Sequence, residues 1–148
     1  MENIEAISAL KDALKDCVFT DQDSLFRASF DAMKLSFMPQ AVIRPILSDD
    51  VGVVLKLANQ YDIPVTTRGA GSTLTGSATP VKGGWVLDLT RLNSIEIDEL
   101  GKFAYVGAGA ITGDIQQRAE AVNLFYADRK STRLNSSHIQ KSRMPSSA

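Results

Sequence analysis

Cysteine and histidine are almost missing from this chain: its 148 residues hold one of each, Cys17 and His138. A single cysteine excludes an internal disulfide. Together the two counts exclude Cys-rich zinc sites, multi-histidine metal clusters and any Ser/His relay built without His138, so no metal ligand set is expected. Long apolar runs are missing too. The longest, such as residues 51–58, fall far short of the roughly 20 residues that cross a bilayer, and residues 1–12 lack the basic start and apolar middle of a signal peptide. The expectation is a cytoplasmic chain with no transmembrane segment, peripheral membrane association of an intact, longer protein staying open. Cys17 follows Asp16 near a helix C-terminus, whereas a reactive thiol needs a nearby cation or a helix N-terminus, and it reads as a small buried apolar residue.

The composition is that of an ordinary globular domain, 44% apolar and 22% charged, able to bury a core without staples. Its net charge of −1 conceals an asymmetry. Residues 1–127 hold 11 basic and 16 acidic side chains, a net −5, whereas residues 128–148 hold five basic and one acidic, a net +4. A basic tail on an acidic domain ordinarily suggests contact with nucleic acid or a membrane surface. Here the stretches from Asp128 to His138 and from Ser142 to Ala148 resemble a translated sequencing adapter. The expectation is therefore a partial domain over residues 1–127 and a disordered, non-native tail over residues 128–148 that binds no nucleic acid. That tail also lacks aromatic side chains for base stacking. The rival reading is a disordered basic arm whose nucleic-acid binding would weaken steeply with salt.

Steps of three and four linking Ile4, Ile7, Leu10, Leu14 and Cys17 predict a helix over residues 2–15 with that face buried. Later residues of the N-terminal region 1–38 show no clean period, and residues 25–40 read as loop or irregular helix. Residues 41–44 predict a short strand stopped by Pro45. Ser48 then reads as the cap of a helix with Asp49 and Asp50 in its first turn and Val51, Val54, Leu55 and Ala58 on its buried face. A β-branched strand over residues 63–67 would complete a right-handed β-α-β unit with parallel strands. Residues 85–90 predict another strand, with Trp85, Leu87 and Leu89 on one face, and residues 94–98 and 103–106 a hairpin turning through Gly101. Thr112 reads as the cap of a helix burying Ile115, Ala119 and Val122, and residues 124–126 as the start of a further strand. The fold class is α+β: a small parallel β-α-β subdomain, then antiparallel strands with a packed helix.

The stretch Arg68-Gly-Ala-Gly-Ser-Thr-Leu-Thr-Gly-Ser-Ala-Thr-Pro80 holds three glycines and, from Ser72 to Thr79, five hydroxyl residues. Such a loop can turn main-chain N–H groups inward into a concave anion site, and its small side chains let a diphosphate reach the backbone. Hydrogen bonds to a charged group contribute roughly 1.5–3 kcal/mol each, so four or five hold a diphosphate even on an acidic domain. Two phosphate motifs are excluded by single positions. Gly71 and Gly76 have Walker spacing, but Ser77 and Ala78 replace the Lys-Ser/Thr pair, and Leu74 replaces the third glycine that Gly69-x-Gly71 needs for a dinucleotide fingerprint. Gly107-x-Gly109 fails the same test at Thr112 and reads as a strand-to-helix turn.

Pro39-Gln-Ala-Val-Ile-Arg-Pro45, Ile63-Pro-Val65, Arg68 to Ser77, Trp85-Val-Leu-Asp-Leu-Thr-Arg-Leu-Asn93 and Val106-Gly-Ala-Gly109 form an ordered series. In that order and spacing the chain resembles the N-terminal part of the FAD-binding domain of the p-cresol methylhydroxylase and vanillyl-alcohol oxidase type. Within that type it most resembles the glycolate oxidase FAD-linked subunit and D-lactate dehydrogenase branch. The resemblance covers nearly all of residues 20–127. It implies that the loop 68–80 binds the FAD pyrophosphate through Arg68, Gly69, Ala70, Gly71, Ser72, Thr73, Leu74, Gly76 and Ser77. The contacts would be chiefly main-chain N–H groups, with the Ser72, Thr73 and Ser77 hydroxyls. For Arg68 a surface ion pair weighs equally with a cofactor contact, and Thr75 reads equally as a solvated loop residue.

Members that attach flavin covalently through this loop carry histidine where Ser72 stands, and residues 1–127 contain none, so the resemblance implies non-covalent FAD. It further implies an N-terminal fragment of an FAD-linked oxidase or dehydrogenase that oxidises a 2-hydroxy acid such as glycolate or D-lactate by hydride transfer to flavin. The catalytic residues, the substrate cap and any electron-acceptor subunit would lie outside this chain. By itself the fragment is expected to bind FAD weakly and turn nothing over. The alternative is a free-standing nucleotide- or phosphate-binding module without redox activity.

Overall fold

The computed structural model describes residues 2–32 and 35–127; the expected tail over residues 128–148 lies outside the described residues. Helix α1 (Glu2–Leu14) leads through a 3-10 turn (Lys15–Cys17) to β1 (Val18–Phe19), α2 (Gln22–Ala28) and β2 (Ala41–Ile43). Helix α3 (Ser48–Gln60), β3 (Val65–Arg68), β4 (Trp85–Asp88) and a second 3-10 turn (Leu89–Arg91) follow. The hairpin β5 (Ile95–Asp98) and β6 (Phe103–Val106) and helix α4 (Thr112–Ala121) complete the order.

The expected α+β class is what the chain adopts. One four-stranded sheet runs β1-β2-β4-β3, and the antiparallel hairpin β5–β6 stands apart from it. Strands β2, β4 and β3 are parallel, whereas β1 pairs antiparallel with β2. The expected β-α-β unit needs one correction: β2 and β3 are parallel but not neighbours, because β4 lies between them, with Trp85 opposite both Ala41 and Val65. The reason is burial. Trp85, Val86 and Leu87 are consecutive apolar residues that must all leave water, and only a central strand covers both faces. Val65–Arg68 is half-exposed and takes the edge.

Alternate residues of the central strands feed two clusters. Ala41, Ile43, Trp85 and Leu87 pack with Ala6, Leu10 and Leu14 of α1, with Cys17, with Val54 and Ala58 of α3 and with Ile63. Val42 and Val86 meet Ala28, with Phe19 and Leu25 partly covering them, on the other side. Cys17 is buried as expected. Ile4 is not on the buried stripe: it is 78% exposed, and Ala6 takes its place. At about 100° per residue, Ile4 sits roughly 120° around α1 from Leu10.

Both expected caps are displaced by one residue. Leu47 is the extended cap of α3 and Ser48 is already helical. The Asp50 carboxylate in the first turn instead reaches back to the chain before the helix, accepting from Ile46 N–H at 3.0 Å and Leu47 N–H at 2.9 Å. Leu55 is exposed, and Leu57 supplies the core contact expected of it. Ile111 likewise replaces Thr112 as the cap of α4, although Ile115 and Ala119 are buried as expected. Residues 124–126 form no strand. Asn123 adopts a left-handed φ of 58°, which turns the Leu124 N–H back onto the Ala119 carbonyl at 2.9 Å.

Helix α2 emerges from a stretch with no readable period. Its cap is Asp21, whose carboxylate accepts the Ser24 main-chain N–H at 2.9 Å. Hydrogen bonds from Ser24, the main-chain donor first and the side chain second, hold the Asp21 carboxyl below its ordinary value of 3.8. A depressed carboxylate pKa stabilises the fold above the unfolded value and loses that contribution as pH falls through the folded one. The Ser24 amide resonance is therefore expected to titrate with a midpoint below 3.8 and to stop titrating in Asp21→Asn; a midpoint at or above 3.8 would refute this cap.

Candidate FAD-binding loop and cleft

Because β2, β4 and β3 are parallel, their carboxyl ends meet along one margin of the sheet. Ligands of open α/β sheets bind outside that margin. Here it carries Arg44 just after β2, Asp88 at the end of β4 and Arg68 at the end of β3, with Arg68 opposite Asp88 in register. These three line a cleft of about 210 Å³ together with Arg27, Ala28, Gly69, Ala70 and Thr90. Arg44 Nε bonds Asp88 Oδ2 at 3.1 Å, and its guanidinium lies 4.7 Å from the Phe19 ring centre. The other carboxylate oxygen of Asp88 accepts from the Thr90 hydroxyl at 2.6 Å and from the Thr90 N–H at 3.1 Å. Arg27 pairs with Asp23 across one exposed helical turn, an arrangement that contributes little to stability.

The glycine-rich loop leaves β3 beside this cleft. Gly71 and Gly76 have φ of 68° and 73°, left-handed values that only glycine adopts without strain. A Cβ at Gly69 or Gly76 would meet no protein atom within 4 Å, so open space borders the backbone there. Ala78, Thr79 and Pro80 are buried and anchor the return of the chain. Thr73, Thr75 and Ser77 gather their hydroxyls into one triangle, with oxygen separations of 2.9, 3.2 and 3.3 Å. Thr75 thus belongs to the cluster and is not a merely solvated residue. Ser72 and Leu74 are exposed and remain outside it.

Among the described residues, no acceptor takes the main-chain N–H groups of residues 70–74. Free donors, a hydroxyl triangle and open space beside two glycines are what a diphosphate requires. Arg68 forms no surface ion pair among the described residues: its Nη1 donates to the carbonyls of Ala28 at 3.0 Å, Phe30 at 3.1 Å and Arg27 at 3.4 Å. Arg27, Arg44, Asp88 and Thr90 were not singled out as site residues by sequence. The available signal was the placing of Arg44 and Asp88 at the ends of apolar strand runs.

The family described as FAD binding domain matches residues 39–133, a span that includes the loop, the cleft margin and the hairpin. This chain belongs to that FAD-binding domain family. Over 100 residues the domain is 38% identical to glycolate oxidase subunit GlcD of Bacillus subtilis, a match covering 66% of this chain and 21% of that protein. D-lactate dehydrogenase of Archaeoglobus fulgidus is 36% identical over 78 residues, covering 53% of this chain and 18% of that one. Among solved structures, substrate-bound p-cresol methylhydroxylase superposes with a TM-score of 0.72 at 28% identity, over 83% of this chain and 25% of that one. The FAD-binding domain therefore spans about a fifth of the length of the curated relatives it matches. The family resemblance read from the sequence holds, and no helix among the described residues is long and apolar enough to cross a membrane.

Proposed function

We propose that this FAD-binding domain belongs to a flavoenzyme that oxidises a 2-hydroxy acid such as glycolate or D-lactate, and that residues 68–77 hold the FAD pyrophosphate non-covalently. The observation that carries the reading is the loop, with N–H donors over residues 70–74 that no described residue accepts from, beside two glycines that border open space. FAD, when bound, supplies the hydride acceptor. This chain's own residues bind and orient. The N–H groups of residues 70–74 and the hydroxyls of Ser72, Thr73 and Ser77 donate to phosphate oxygens, and the Arg44–Asp88 pair keeps the ends of β2 and β4 fixed beside them. Ser72 offers no ring nitrogen to a flavin bond. The two relatives above, named for a glycolate oxidase and a D-lactate dehydrogenase, support the hydroxy-acid class. We assign the catalytic base, the substrate cap and any electron-acceptor subunit to parts of the protein outside these residues, and the whole to the cytoplasm.

Titration of the purified chain with FAD, ADP, FMN and riboflavin tests the loop directly. FAD is expected to bind weakly, ADP to compete with it, and riboflavin, which has no phosphate, not to compete. Glycolate and D-lactate are expected to remain unoxidised by this chain and to be oxidised by a longer protein containing it. Equal competition by riboflavin would refute a pyrophosphate site at this loop.

A further inference from the structure

Arg68 touches two parts of the fold at once. Through Nη1 it donates to the carbonyls of Arg27, Ala28 and Phe30, at and beyond the C-terminal end of α2, where helical carbonyls lack intrahelical partners. Its Nη2 lies against Gly71, where an added Cβ would fall on that nitrogen. Gly71 is also one of the loop's left-handed residues. The loop therefore wraps onto one edge of a planar guanidinium whose other edge is fixed to α2.

We propose that Arg68 is a positioning residue that sets the conformation of residues 69–77 by tying them to α2. Helix α2 lies before Pro39, outside the matched FAD-binding segment, so the N-terminal region takes part in shaping the cofactor loop. Only seven residues long, α2 is too short to persist without tertiary contacts, which makes it responsive to what holds its end. Lysine is a poor substitute. A single ammonium cannot bond the helix end while a second nitrogen, held in plane, lies under Gly71. The cofactor consequence rests on the proposed function; the coupling of loop to helix does not.

Amide exchange on the full chain tests the coupling, comparing wild type with Arg68→Ala, Gly71→Ala and the double variant. The reporters are the amides of Leu25 and Ser29, which bond Asp21 and Phe26 carbonyls, with Val86 in β4 as the internal reference. Gly71→Ala, a change confined to the loop, is expected to speed exchange of both reporters about tenfold, as Arg68→Ala does, with no further increase in the double variant. Wild-type exchange at the reporters in Gly71→Ala, or additive effects in the double variant, would overturn the proposal. Should Arg68→Ala expose Val86 as well, Arg68→Lys reads the same reporters: faster exchange supports the coupling and wild-type exchange overturns it. In an FAD titration, Arg68→Ala and Arg68→Lys are both expected to weaken binding by about tenfold, one hydrogen-bonded contact in magnitude. Wild-type affinity in Arg68→Lys would refute the planar-fork argument. A wild-type chain that binds no FAD would refute the proposed function, and the exchange measurement still decides the role of Arg68.

Discussion

Trp85→Ala is expected to lower the unfolding free energy by about 3–5 kcal/mol, the range for emptying a large aromatic site in a packed core. Trp85 is fully buried at the head of the central strand β4, between β2 and β3, and packs in the cluster formed with α1 and α3. Against a typical total of about 5–15 kcal/mol, that loss removes a large part of the stability. Urea unfolding followed by far-ultraviolet circular dichroism measures it, since the substitution removes the only tryptophan. A second variant separates packing from polarity. The indole N–H has no hydrogen-bond partner among the described residues, so Trp85→Phe removes an unsatisfied buried donor along with part of the ring. Leaving such a donor unpaired costs about 1–3 kcal/mol, which offsets much of the lost packing, and Trp85→Phe is expected to lose less than half of what Trp85→Ala loses. Equal losses would show that ring volume alone governs the site.

Gly69→Asp is expected to leave stability almost unchanged while abolishing measurable FAD binding. Gly69 has no left-handed φ and a Cβ there meets nothing within 4 Å, so the folded chain accommodates the side chain, with an effect within about 0.5 kcal/mol. The same open space is where the proposed diphosphate approaches the backbone. A carboxylate about 5 Å from a phosphate charge, at an effective dielectric constant of about 20, is repelled by about 3 kcal/mol, which raises Kd about 100-fold. Gly69→Ala adds bulk without charge and is expected to lose less. Flavin fluorescence titration beside a thermal melt checks both halves. FAD affinity in Gly69→Asp equal to wild type would remove the diphosphate from this loop.

Legibility in the sequence followed the range of the interaction involved. Local signals served well: the hairpin through residues 95–106, the burial of Ile115 and Ala119 and the apolar run at Trp85 are set by neighbours in sequence. Helix α2 was invisible because its apolar residues are few and its partners are distant in sequence: Ala28 packs on Val42 and Val86, and its carbonyl accepts from Arg68, 40 residues away. Ser48 and Thr112 misled because a hydroxyl next to a helix start is only a candidate; the cap positions fall on Leu47 and Ile111, and at α3 Asp50 fixes the entry by accepting from the Leu47 N–H. Within the loop, glycine and hydroxyl content pointed to the site, but the gathering of Thr73, Thr75 and Ser77 depends on where Gly71 and Gly76 turn the backbone.

The sequence by itself determined that this chain closes no internal disulfide and builds no Cys-rich or multi-histidine metal site, that the class is α+β, and that residues 68–77 resemble an FAD pyrophosphate loop. Composition, periodicity and the ordered series of motifs are properties of the chain in one dimension. Only the tertiary structure decided that β4 enters between β2 and β3, and so that Arg44, Asp88 and Arg68 stand along one margin of the sheet. It also decided what Arg68 holds. Strand order follows from which apolar run most needs cover on both faces, and a guanidinium's partners follow from which carbonyls the packed helix leaves open.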